Sequence, residues 1–186
     1  MEVGDSTNDA VRIDATQLRA KVLGEGGNLG FTQAARVEAG LRGVRLNTDA
    51  LDNSGGVDMS DHEVNLKILL APAVAEGKLT LERRNALLEE LTEAVAQLVL
   101  ANNRSQSLAI SLDELRSREA LDDFRDLMFA LEKAGELDRF AERLPSSDVL
   151  LERRDRGQAM TRPELCILLA YAKLSLKPRL ISSALP

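Results

Sequence analysis

The sequence contains no tryptophan, one tyrosine and four phenylalanines in 186 residues. A core without bulky rings must be filled by leucine, alanine, valine and isoleucine, which suits packed helices better than a β-sandwich. There is one cysteine, so no internal disulfide framework can form, and a reducing compartment is the expected setting. No apolar run approaches the ~20 residues of a membrane span. The start, MEVGDSTND, lacks the basic and then apolar layout of a secretory signal. Basic charge is in the minority: 24 lysines and arginines stand against 30 aspartates and glutamates, a formal net charge of −6. A general nucleic-acid binder needs a basic face for phosphates. These absences lead to the expectation of a soluble, cytoplasmic protein that engages neither membrane nor nucleic acid.

What the sequence does have is concentrated between residues 24 and 63. Two polar loops rich in glycine, GEGGNLG and the later NSGGVDMSDHE, bracket one short amphipathic run. Residues 20–23 and 44–46 are brief apolar runs that read as strands, and residues 32–41 between them read as a helix. Strand, helix and strand make a small parallel βαβ unit with a crossover helix. Beyond Ser60 the pattern is helical throughout. Ser60 and Glu63 have capping-box spacing, as do Thr161 and Glu164. Helices are expected over residues 81–100, 104–112, 121–131, 137–144 and 148–156, with Pro72 and Pro178 ending or kinking their helices. The expected fold is mostly α with a small α/β part: a Rossmann-like remnant over residues 1–60, then an all-α region over residues 61–186.

Spacing alone leaves the first loop open to two readings. Gly24, Gly26 and Gly30, after a strand and before a helix, resemble a loosened dinucleotide fingerprint, with Asp49 or Asp52 as the ribose acid. The spacing is off by one residue, and a plain glycine turn is the other reading. A Walker phosphate loop is excluded, because no Gly-Lys-Ser/Thr follows. In the second loop Asn53 and Ser54 offer polar side chains, Gly55 and Gly56 expose backbone, and Ser60 opens a helix whose N-terminus favours an anion. An ordinary N-cap is the other reading of Ser60, and spacing alone favours it. His62 is the sole histidine; beside Asp58, Asp61 and Glu63 it lacks the i, i+4 ligand pairing of a helical metal site, so no metal is expected. Cys166 lies in an apolar helical run and reads as a buried, inert thiol.

The two loops, with LTLERRNALLEELTEAVAQLVLANN and TRPELCILLAYAK, closely resemble NAD-specific glutamate dehydrogenases of the large bacterial class. Glu25, Gly26, Gly27 and Asn28 match that superfamily's EGAN-like loop, with Gly27 in place of alanine. Asn53, Ser54, Gly55, Gly56, Val57 and Ser60 match its NAGGVxxS-like loop, with Ser54 in place of alanine. The resemblance implies cofactor contact at Gly26, Gly27, Asn28 and Asn53, near the nicotinamide end of NAD. It implies substrate contact at Val57 and Ser60, with Ser60 on the side-chain carboxylate of L-glutamate. It also moves the pyrophosphate fingerprint elsewhere, which takes the ribose role away from Asp49 and Asp52. The catalytic lysine and aspartate of the family have no counterpart here, since neither Lys21 nor Lys67 has the glycine-bearing context. The expectation is therefore a fragment of a homo-oligomeric enzyme that oxidises L-glutamate to 2-oxoglutarate and ammonia with NAD, the fragment itself being inactive. The competing expectation is a non-catalytic helical assembly module spanning residues 61–186.

Overall fold

The computed structural model describes residues 6–28 and 30–184. Among these, two 3-10 turns, Ser6–Val11 and Ala15–Gln17, precede eight α-helices. These are α1 (Gln33–Leu41), α2 (Asp49–Asp52), α3 (Ser54–Ala75), α4 (Leu81–Glu90), α5 (Thr92–Glu119), α6 (Leu121–Lys133), α7 (Ser147–Asp155) and α8 (Arg162–Ile181).

The expected α/β part is not formed. No strand and no sheet occur among the described residues. Segments 20–23 and 44–46 meet only at a single parallel bridge between Val22 and Arg45. Two bonds hold it, Leu23 N–H to Arg45 O and Arg45 N–H to Lys21 O, both 2.9 Å. The Rossmann-like remnant with two parallel strands is thus overturned in favour of a helical fold. The physical reason is length and cover. Each run is shorter than the five or six residues of an ordinary strand, and a parallel pair needs both faces buried. Here one side packs: Leu23, Val44 and Leu46 join Ala15, Ala39 and Leu18 in a small cluster. On the other side Val22 is 69% exposed.

Helix ends follow the sequence in some places and tertiary contacts in others. Thr32 caps α1 by accepting from Ala35 N–H at 3.2 Å. The box at Thr161 and Glu164 forms as expected, with Pro163 in the first turn of α8. The box at Ser60 does not. Helix α3 begins at Ser54, so Ser60 lies inside it and caps nothing. Glycines at 55 and 56 disfavour a helix start on propensity alone, but the start is held from outside, by α5. Pro72 and Pro178 sit within α3 and α8, which continue to Ala75 and Ile181. The expected helix over 81–100 breaks at Leu91, and its second half extends to Glu119 as α5. No helix forms over residues 137–144, where residues 139–143 are turns.

Helix α5 is the spine. It contacts α2, α3, α4, α6 and α8, and its Ile110 is fully buried in the main core with Phe124, Met128, Leu150, Leu165 and Cys166. Burial pushes the Cys166 thiol above its ordinary pKa, with hydrogen bonds from Thr48 opposing the shift. By contrast α4 buries no residue and α3 buries only Ser54. Gly40 lets α1 lie against α8: a Cβ there would stand 3.1 Å from the Thr161 Cβ. No described helix is long and apolar enough to cross a membrane.

A buried ion pair joins α7 to α8. Arg153 donates to Glu164 through both terminal nitrogens, at 2.8 and 2.9 Å, and Glu164 is fully buried. Removing one partner of such a pair strands the other charge. Arg153→Met is expected to cost about 3 kcal/mol of stability, read as a lower urea midpoint; an unchanged midpoint would contradict the pair's structural role. The single tyrosine offers a second check. Tyr171 donates to Glu142 Oε1 at 2.7 Å. That bond first, with burial and the adjacent carboxylates, pushes its pKa up to about 12. The folded state thus prefers the phenol. This contribution is complete below the ordinary value of about 10 and is lost as pH rises through the shifted one. Tyrosinate absorbance should therefore appear later in the folded chain than in urea, and Glu142→Ala should shrink the difference, leaving only what burial and Asp138 contribute.

Candidate functional site

Two loops that are 25 residues apart meet at one hydrogen bond. Asn53 Nδ2 donates to Asn28 Oδ1 at 2.9 Å. Asn53 is the only residue between α2 and α3, with φ −89° and ψ 49°. Its amide lies over Gly56: a Cβ at that glycine would stand 2.6 Å from Asn53 Nδ2. Gly26 and Gly27 on the first loop face open space, where an added Cβ meets nothing within 4 Å. Side chains three and four apart on a helix share a face, so Val57 and Ser60 follow Asn53 along one side of α3. Both are exposed, Val57 at 65%. The result is a polar corner of two amides with bare backbone beside it, continuing into an exposed apolar and hydroxyl-bearing helix face. Open backbone and paired amides fit a flat carboxamide or a sugar hydroxyl of a cofactor.

Beneath this corner lies a buried polar network. Glu25 and Arg36 are each 5% exposed. Arg36 donates to both Glu25 oxygens, at 2.6 and 2.9 Å, and also pairs with Asp49 at 3.2 Å. Glu25 accepts from Phe31 N–H at 3.1 Å. Burial alone would lower the Arg36 pKa, but the Glu25 bond and the Glu25 and Asp49 charges outweigh it and leave it raised. Asp52 accepts from Glu25 N–H at 3.0 Å and from Asn47 Nδ2 at 2.8 Å. Asn47 in turn accepts from Arg162 Nε at 3.0 Å, and Arg162 reaches Ser111 and Glu114 of α5. Asp49 and Asp52, considered in the sequence as ribose acids, are therefore occupied in holding the loops together.

A cleft of about 630 Å³ opens beside the network rather than at the amide pair. Gly24, Glu25, Gly26, Asn47, Asp52 and Arg162 are among the residues that line it. Of the six candidate contact residues only Gly26 does; Gly27, Asn28, Asn53, Val57 and Ser60 lie outside it. The structure thus brings Asn28 to Asn53 and aligns Val57 and Ser60 behind them, but does not enclose all six in one hollow. His62 Nε2 sits 3.7 Å from Asp58 Oδ1, one turn away on the same helix.

Sequence reading missed Arg36, Arg162 and Asn103, and took Glu25 only as part of a loop motif. A signal existed for Arg36. It falls on the same helix face as Ala39, and a charged residue on a buried face needs a partner. Nothing local pointed to Arg162 or Asn103, whose partners lie 48 to 115 residues away.

Comparison with known proteins bears on the same residues. The family model for the bacterial NAD-glutamate dehydrogenase catalytic domain matches residues 1–113. The chain is 54% identical over 185 residues to the NAD-specific glutamate dehydrogenase of Pseudomonas aeruginosa, covering 100% of this chain and 11% of that protein. It is 52% identical over 185 residues to the protein of that name from Halomonas elongata, covering 100% of this chain and 12% of that one. To the Mycobacterium tuberculosis protein of that name it is 45% identical over 186 residues, with 100% and 11% covered. The chain therefore spans about a ninth of the length of the curated relatives it matches.

The two adjacent glycines of α3 should behave oppositely. An added Cβ at Gly55 meets nothing, while at Gly56 it collides with the Asn53 amide. Gly55→Ala is expected to stabilise by roughly 0.4–1 kcal/mol through the unfolded chain. Gly56→Ala is expected to forfeit that gain and displace Asn53 from Asn28. Urea unfolding of both variants decides it; equal gains would mean the Asn53 side chain is not held over Gly56.

Proposed function

The chain belongs to the bacterial NAD-glutamate dehydrogenase family, and from that premise we propose that it is the ligand-positioning part of an enzyme that oxidises L-glutamate to 2-oxoglutarate and ammonia. When bound, NAD supplies the hydride acceptor for that oxidation. Gly26 and Gly27 leave the backbone bare for close approach of the cofactor. Asn28 and Asn53 present amide donors and acceptors to its nicotinamide end. Val57 supplies the apolar wall of the glutamate pocket, and Ser60 donates to the side-chain carboxylate. Because Ser60 stands inside α3, its hydroxyl acts as a placed donor and not through the end of the helix dipole. The reading assigns ligand contact to residues 1–60 and scaffolding to residues 61–186. The lysine and aspartate that handle protons in the reaction are taken to come from outside this chain. The reading places the enzyme in the cytoplasm, where a lone thiol stays reduced.

The observation that carries this reading is the 2.9 Å bond from Asn53 to Asn28. It joins the two loops that resemble the family's cofactor and substrate motifs at the head of the helix bearing Val57 and Ser60.

One observation favours a second role for the helical region. Past Ser60 the same face of α3 carries Val64 and Ile68, the latter 63% exposed, and Leu69 is 72% exposed beside them. An apolar stripe of this kind is a contact surface, and we assign it to assembly of the homo-oligomer. This role is compatible with the first.

In the intact enzyme, Ser60→Ala should raise KM for glutamate about tenfold or more, the loss of a hydrogen bond to a charged group, with oligomer size unchanged. Wild-type KM and kcat would remove Ser60 from the pocket. The isolated 186-residue chain should show no glutamate-dependent formation of NADH.

A further inference from the structure

We infer that Asn103, on α5, is the positioning residue that holds Asn53 in register for the cofactor. The inference rests on the reading of Asn53 as a cofactor contact.

Asn53 is a pivot. It is the single non-helical residue between α2 and α3, so a small backbone rotation there would swing its amide away from Asn28. Asn103 brackets that pivot on both sides. Its one amide nitrogen donates to Leu51 O at 2.9 Å, in α2, and to Ser54 Oγ at 2.8 Å, the first residue of α3. Ser54 Oγ also donates to Leu51 O at 3.2 Å, which closes the triangle. Leu51 and Ser54 are buried, so water is poorly placed to replace the lost bonds.

The preceding residue adds a second hold. Asn102 Nδ2 donates to both oxygens of Asp58, at 3.0 and 3.3 Å, one turn further along α3. Helix α5 thus grips the start of α3 at two successive turns, and α5 is itself anchored in the core by Ile110. Helix α3 needs this hold, because Ser54 is the only residue it buries. The chemistry is specific to an amide: two hydrogens on one nitrogen serve two acceptors. A carboxylate of the same shape has neither.

The test is a double-mutant cycle in the intact enzyme carrying this sequence, read by NADH fluorescence titration, with KM for NAD and kcat measured separately. Asn53→Ala should weaken NADH. Asn103→Ala should weaken it about three- to tenfold, the worth of a typical buried hydrogen bond, and Asn103→Asp should do so as well. Combined with Asn53→Ala, Asn103→Ala should add nothing further, because a residue acting through another loses its effect when the other is gone. Should Asn103→Ala fail to fold, Ser54→Ala removes one acceptor of the same clamp and should shift NADH affinity in the same direction by less. Loss of affinity that is equal in both backgrounds, or absent, overturns the inference while leaving Asn53 as a contact. Wild-type NADH affinity in Asn53→Ala overturns the cofactor reading itself, and the inference with it.

Discussion

The buried pair of Glu25 and Arg36 is the interaction on which the two loops depend. Glu25 stands between glycines, where nothing apolar can hold the chain in place. Its carboxylate instead accepts two bonds from Arg36 and one from Phe31 N–H, while its own N–H is taken by Asp52. Desolvating two charges is costly, and the attraction between them repays that only when the geometry is good and the remaining valences are satisfied. Here they are, through Phe31 N–H on Glu25 and through Asp49 and Gln33 on Arg36. The consequence is specificity of position: the first loop is tied to α1 and to α2 at once.

From that pair the network runs outward to α5 and α8. Asp52 holds Asn47, Asn47 holds Arg162, and Arg162 binds Ser111 and Glu114. A separate set, Asn102 and Asn103, fastens the start of α3. Polar side chains of α5 therefore set both loops in space, while its apolar side chains build the core. This division explains how a helix as thinly buried as α3 is nonetheless held in place. Precision at a functional corner needs supporting groups on rigid elements, and α5 is such an element.

The surface left over is informative in the same terms. Helix α3 presents Val57, Val64 and Ile68 outward, and α8 ends in exposed Leu180 and Ile181. Relatives about nine times as long have ample chain to meet such faces. The polar corner and the apolar stripe are neighbouring parts of one exposed surface of α3.

Much of this was legible in the residues. Thr32, Thr161, Glu164 and Pro163 announce helix starts, because a cap is a local hydrogen bond between near neighbours in the chain. The glycine loops and their match to a family pointed to Asn28 and Asn53, and the fold does join them. Other features depend on partners far along the chain. Residues 20–23 and 44–46 have strand-like composition, but a strand exists only where neighbours cover it, and these meet at one bridge. Ser60 has the spacing of a cap, yet the helix starts six residues earlier because Asn103, 49 residues from Ser54, holds that start. Asp49 and Asp52 are acids in a polar, glycine-rich stretch, and only the folded chain shows that they serve Arg36 and the Glu25 backbone. Caps, stops, periodic apolar faces and loop chemistry are encoded within a turn or two of helix, and so could be read from the residues alone. Tertiary structure decided burial, register and which polar group meets which, since those energies arise between residues that only folding brings together.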